Sequence, residues 1–262
     1  MQRFPQKEQY TADDLRDIIR ILRSPDGCPW DREQTHESIR KNFIEECYEA
    51  VEAIDRADST LLAEELGDVL LQVYLHAQIA EDNASFTFDD VTDGICRKLL
   101  VRHPHVFKGD NVSTGDEALA SWDAAKRKSK GQAPGSVPML DVPKVLPALM
   151  RAQKVQDKAR LAGMDFPDMA ACIIKLREEV DELQAADSTE AAAEELGDIL
   201  FSAVNAARFA KIDAEEALTM ATEKFIGRFI RLEQALDKPM TEYSQEELDA
   251  VWEKIKHLKS NI

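Results

Sequence analysis

The chain has 262 residues, a formal net charge of −17, and 44% hydrophobic against 32% charged residues, a size and balance that suit one large globular domain or two ordinary ones. The acidic excess and the lack of any long basic run exclude a binder driven by phosphate neutralisation along a nucleic-acid polymer. A small phosphate ester stays open, because a divalent cation can invert the local field of an acidic protein.

Residues 1–10 carry no apolar leader core and no apolar run is long enough to span a bilayer, so the expectation is a cytoplasmic protein with no membrane partner. Cys28, Cys47, Cys96 and Cys172 form no CxxC pair and read as reduced thiols. Residues 11–23 are predicted as a helix, with Thr11 or Asp13 as its cap and Leu15, Ile18, Ile19 and Leu22 at helical spacing, ended by the turn Ser24-Pro25-Asp26-Gly27. A second helix is predicted over 34–56, striped by Ile39, Phe43, Ile44, Cys47, Tyr48 and Val51. A third follows over 60–81, capped by Asp58 or Ser59, then one over 95–102 that stops before Pro104, then one over 115–130 that starts at Thr114 or Asp116. Residues 131–147 contain Gly131, Pro134, Gly135, Pro138, Pro143 and Pro147 and form the expected linker between domains at 1–130 and 148–262. Helices resume over 147–161, 166–186, 189–210, 213–236 and 244–259, Asp187 and Glu190 having capping-box spacing. Alternating strand patterns with hairpin turns are nearly absent. The expected fold is all-α, a tandem repeat of two similar helical-bundle domains.

The repeat rests on particular residues. Glu64-Glu65-Leu66-Gly67-Asp68 recurs as Glu194-Glu195-Leu196-Gly197-Asp198, each copy preceded by Ala-Asp-Ser-Thr at 57–60 and 186–189. Upstream lie Glu45, Glu46 and Glu49 in one copy and Glu178, Glu179 and Glu182 in the other. Downstream, Lys98 and Arg102 match Lys224 and Arg228, and Trp122 and Lys126 match Trp252 and Lys256. The offset between copies is 133, 130, 126 and 130 along that order, which places the length changes in loops.

Acids three or four apart share one helix face. Two such helices joined by a short connection pack antiparallel and bring their carboxylates together. The charges then repel, leaving the cluster destabilised or partly protonated unless a hard divalent cation such as magnesium resolves the conflict. A solvated acidic face is the bland alternative; the duplicated arrangement argues against it. Leu196, Ile199, Leu200, Val204 and Ala207 are expected to set the core beside Asp198. Gly67 and Gly197 sit inside helical patterns, for close approach, metal access or a bend. The Lys/Arg pairs could hold a triphosphate and Trp252 could stack a base or pack in the core. Asn205 falls on the face of Asp198, where the first copy has Leu75; it reads as a substrate contact or as the partner of a buried polar gap, and favours the second copy. His103 and His105 flank Pro104 as a structural turn or a ligand contact, and Trp30 reads as a pocket wall or a hydrophobic staple. Only Glu33 and His36 have the Glu-x-x-His spacing of a di-iron bundle, and no phosphate-binding glycine fingerprint occurs.

The pattern Glu-Glu-x-x-Glu, a gap, then Glu-x-x-Asp resembles the all-α nucleoside triphosphate pyrophosphohydrolases. The tandem order, with Gly27-Cys28-Pro29-Trp30-Asp31, Arg102-His103-Pro104-His105-Val106-Phe107 and Leu146-Pro147-Ala148-Leu149-Met150-Arg151-Ala152-Gln153-Lys154, is similar to the two-domain MazG family over essentially the whole chain. The resemblance implies a magnesium-dependent homodimer, with manganese as a substitute ion, that converts nucleoside and deoxynucleoside triphosphates to monophosphate and pyrophosphate with broad base tolerance. It implies Glu179, Glu182, Glu195 and Asp198 as metal ligands. Lys175, Glu178, Glu179, Glu194, Lys224, Arg228 and Trp252 would contact nucleotide, a set that Lys256 extends by its spacing. The base would be Glu178 or Glu194, whichever the metals leave free. The first half matches with Glu46, Glu49, Glu65 and Asp68 for metal and Lys98, Arg102, Trp122 and Lys126 for nucleotide. Ala191-Ala192-Ala193 departs from the more polar run expected there. The alternatives are a hydrolase narrowed to one non-standard nucleotide and a nucleotide-sensing or partner-binding module without turnover.

Overall fold

Most of the long helices begin at a side chain that satisfies their free amides. In the computed structural model, which describes residues 4–109, 112–131 and 139–257, Thr11 opens helix α1 (Ala12–Arg23) with a reciprocal bond to Asp14. Asp58 caps α4 (Ser59–Asp82), Thr87 caps α5 (Phe88–Arg102), and Thr114 caps α7 (Gly115–Ser129). Between these lie α2 (Pro29–Glu33), α3 (Arg40–Asp55) and α6 (Pro104–Phe107). The second half holds α8 (Ala148–Leu161), α9 (Met169–Ala185, capped by Asp168), α10 (Thr189–Phe209, capped by Ser188), α11 (Ala214–Ala235, capped by Asp213) and α12 (Gln245–His257). Two single 3-10 turns, Met139–Asp141 and Met240–Glu242, complete it. No strand occurs among the described residues, so the fold is all-α. The chain divides into two units, residues 1–132 and 133–262.

Each unit is built around a hairpin of two helices joined by three residues, α3 with α4 and α9 with α10. In the first unit α1 and α5 pack on α4, and α7 packs on α5. In the second unit α8 packs on α10 and α11, and α12 packs on α11. The same order of helices therefore carries the sequence repeat. The core of the first unit is Ile19, Ile39, Tyr74, Leu75 and Ile79, with Leu15, Leu71 and Phe88 against it. The Tyr74 and Phe88 rings stack with centroids 4.0 Å apart.

Several predicted elements differ. The helix expected over 34–56 starts later: residues 36–39 form turns, and Ile39, fully buried, precedes the first helical residue Arg40. The helix expected from 95 begins at Phe88, because Thr87 and Asp90 form a capping box that the apolar pattern did not reveal. Pro104–Phe107 is a single helical turn opened by its proline. Ser188, not Asp187, caps α10. Of the expected linker, residues 132–138 lie outside the described residues. So do residues 258 and 259 of the last predicted helix.

The second large difference is apolar exposure. Leu196 and Leu200 are about half exposed, and so are Ile174 and Phe201 beside them. In the first unit Ile44, Tyr48, Val51, Leu66 and Leu70 are likewise exposed. These helices carry apolar residues on more than one face. One face packs within the unit, as Val204 does, and the other lies on the surface.

One polar contact sits beside the first hairpin. The Nδ1 atoms of His36 and His76 are 2.8 Å apart with their rings stacked, and Phe43 meets His76 edge-on. Such a contact requires one nitrogen to donate and the other to accept. Burial first, and then the His36 charge, push the His76 pKa below 6.5. The unfolded chain thus binds more protons than the folded unit as pH falls through the region just below 6.5, and stability is lost in that window. Thermal denaturation at about pH 7.5 and about pH 5.5 should show the first unit weaker in acid, and His76→Phe should flatten that dependence.

Candidate metal and nucleotide site

The hairpin geometry brings three carboxylates of each unit together. Oxygens of Glu179, Glu182 and Glu195 lie within 4.8 Å of one another, and those of Glu46, Glu49 and Glu65 do the same. Two come from the first helix of each hairpin and one from the second. Asp198 and Asp68, one turn further along, stay outside these groups of three; Asp198 is exposed.

The charge conflict is resolved differently in the two units. In the second, Lys175 reaches Glu179 at 2.7 Å and Glu178 at 3.0 Å. Its ammonium holds the buried Glu179 carboxyl below the usual range. Glu182 is pushed up by its hydrogen bond to Glu179, by burial, and by the charges of Glu179 and Glu195. In the first unit Asn42 stands where Lys175 does, by the offset of 133. There Glu46 is raised by burial and by Asp68 and Glu49, partly opposed by the Gln72 amide, and Glu65 is raised by burial, Glu49 and Asp68. Three clustered oxygen donors of this kind fit a hard divalent cation.

The remaining predicted residues flank these clusters. Glu178 and Glu194 are both exposed. Lys224 is exposed and Arg228 half-buried on α11. On α12 the Trp252 ring packs against Phe225, centroids 5.5 Å apart, and Lys256 pairs with Glu253 at 2.5 Å. In the first unit Lys98 is exposed, and Arg102 and Lys126 stand over the Trp122 ring at 5.3 and 4.7 Å, so three members of the first-half nucleotide set pack on one another. Trp30 is 61% exposed and is no staple. A Cβ built on Gly67 or Gly197 meets nothing within 4 Å, so neither glycine is required for close helix approach. Gly197→Ala is accordingly expected to stabilise the second unit by about 1 kcal/mol, measured by urea denaturation.

A polar network in the second unit escaped the sequence reading except for Asn205. Arg208 donates to Asn205 Oδ1 from Nε at 3.0 Å and Nη2 at 2.7 Å, and to Asp165 Oδ2 from Nη1 at 3.1 Å. Gln156 donates from Nε2 to the Phe201 carbonyl at 2.7 Å. These residues border a cavity of about 440 Å³ between α8 and α10. Asp165 and Arg208 are 43 residues apart, and no local pattern links them.

The model of the MazG nucleotide pyrophosphohydrolase domain matches this chain twice, over residues 34–107 and 169–229. Each match contains one hairpin with its three acids. The chain belongs to the MazG nucleotide pyrophosphohydrolase family. It is 43% identical over 247 residues to the nucleoside triphosphate pyrophosphohydrolase/pyrophosphatase MazG of Thermotoga maritima, covering 93% of this chain and 95% of that one. It is 40% identical over 259 residues to the nucleoside triphosphate pyrophosphohydrolase of Escherichia coli, covering 95% and 98%. It is also 48% identical over 251 residues to the uncharacterized protein YabN of Bacillus subtilis, of which it spans about half (51%). The repeated MazG domain is thus the unit that the duplicated acids marked in the sequence.

Proposed function

We propose that this chain hydrolyses nucleoside and deoxynucleoside triphosphates to the monophosphate and pyrophosphate, with magnesium and with broad base tolerance, chiefly at the acids of its second unit. Membership in the MazG family makes the chain a pyrophosphohydrolase. The observation that carries the site is the three-carboxylate group of Glu179, Glu182 and Glu195 with Lys175 held against it. Glu179, Glu182 and Glu195 would hold the ion, with Asp198 free to join them; manganese, another oxygen-preferring divalent ion, would substitute. A bound magnesium supplies charge neutralisation at the phosphates.

The rest is the work of the chain's own groups. Lys224 and Arg228, one turn apart on α11, present cationic donors to the triphosphate. Glu178 and Glu194, both exposed beside the acids, are the two candidates for the base that takes the proton from the attacking water as pyrophosphate leaves. Lys175 neutralises the acids until the cation and the phosphates arrive, and is then released to bind the phosphates. The exposed Ile174, Leu196 and Leu200 support a homodimer that covers them. No described helix is long and apolar enough to cross a membrane, which fits the cytoplasmic location we propose.

The test is a panel of nucleoside and deoxynucleoside triphosphates given to the full chain with and without magnesium, reading pyrophosphate. Release from several bases only with magnesium is the expected result. Release from one nucleotide alone would replace broad tolerance by a narrowed hydrolase. Tight magnesium-dependent binding with no pyrophosphate would favour a sensing module.

A further inference from the structure

We propose that the cavity between α8 and α10 of the second unit takes the nucleobase of the substrate, with Gln156 and Asn205 reading its edge; this rests on the hydrolase reading above. The amide orientations are fixed by chemistry. The Phe201 carbonyl can only accept, so Gln156 must turn Nε2 to it. Gln156 Oε1 is then left buried without a hydrogen-bond partner, in a side chain that is only 5% exposed and borders the cavity. Arg208 can only donate, so Asn205 must turn Oδ1 to it and keeps Nδ2 as a donor. Asn205 also borders the cavity and is 8% exposed.

A buried acceptor without a partner costs about 1–3 kcal/mol, a cost that a ligand N–H would remove. The two residues therefore offer one acceptor and one donor. Every nucleobase presents an N–H beside a ring or carbonyl acceptor, so the pair suits all of them and gives broad tolerance a physical basis. Phe201, Phe166 and Met164 supply apolar walls for the faces of a planar ring. Placement agrees. Phe201 and Asn205 follow Glu195 by six and ten residues on one helix, or about 9 and about 15 Å along its axis, so a nucleotide whose phosphates meet the acids extends its ribose and base toward the cavity.

The first unit is filled at the matching place. By the offset of 130, Leu71 stands for Phe201 and Leu75 for Asn205, and both join the apolar core around Ile19 where α1 packs on α4. The two units thus share the acids and differ in the base pocket.

The experiment compares the full-length wild type with Asn205→Leu, which imports the first-unit residue, and Ala159→Leu, which fills the cavity from α8. Two quantities are measured: KM for ATP, and the inhibition constant of inorganic tripolyphosphate, which has the phosphates but no base. The inference predicts a KM raised on the order of tenfold or more in each variant with an unchanged inhibition constant. Unchanged KM in both variants overturns it, and so does a parallel rise of both quantities, which marks a distorted phosphate site. If Asn205→Leu does not fold by circular dichroism, Ala159→Leu decides alone. A wild type that releases no pyrophosphate is a failure of the hydrolase reading itself.

Discussion

Replacing Glu179 by Gln is expected to cut pyrophosphate release by at least about a hundredfold, since loss of even an outer partner of a metal site costs ten- to a hundredfold. Glu179 is 4% exposed, closest of the three acids to the interior, and it is the carboxylate that Lys175 holds at 2.7 Å. The glutamine keeps the shape and one oxygen but loses the charge that a hard cation needs. Stability should move little in the same variant. The substitution removes the neutralised partner of Lys175, and it also removes the charge that pushes Glu182 up. Circular dichroism and thermal denaturation beside the activity measurement separate the two effects.

Replacing Arg208 by Met is expected to destabilise the second unit by about 3 kcal/mol, the low end for removing one partner of a buried ion pair. The Arg208 side chain is 9% exposed and that of Asp165 24%. Without the guanidinium, both Asp165 and the buried Asn205 Oδ1 lose their donor. The pair also has a pH signature. The hydrogen bonds and charge of Arg208 lower the Asp165 pKa from 3.8, so its contribution is complete above that value and is lost as pH falls through the folded pKa. The gap in urea stability between wild type and Arg208→Met should therefore be full near neutrality and should shrink below about pH 4.

The helices and the repeat were legible because their signals are local. Thr11, Asp58 and Thr114 stand at true caps, and three-residue connections force the hairpins that join the acids. The recurrence of Glu-Glu-Leu-Gly-Asp marked the acids of each hairpin before any geometry was known. What failed was non-local. The burial of Ile39 at the start of α3 depends on packing against Tyr74 and Leu75, and the exposure of Leu196 and Leu200 depends on what covers α10. Of the readings open for Gly197, close approach is ruled out, because the position faces open space. The substitution of Asn42 for Lys175 was visible in the sequence, but its meaning came only when the ammonium proved to sit on Glu179. The base pocket needed Gln156, Asp165 and Arg208 from three segments, of which only neighbouring Asn205 stood out by contrast with Leu75.

The central claim is that two units with matching acid clusters divide the work, and that the second one hydrolyses. Pyrophosphate release by the full-length chain carrying Glu195→Gln, measured beside the chain carrying Glu65→Gln, tests it most directly. The account predicts that Glu195→Gln abolishes release and that Glu65→Gln keeps most of it. Undiminished release from Glu195→Gln, with loss in Glu65→Gln, would contradict it.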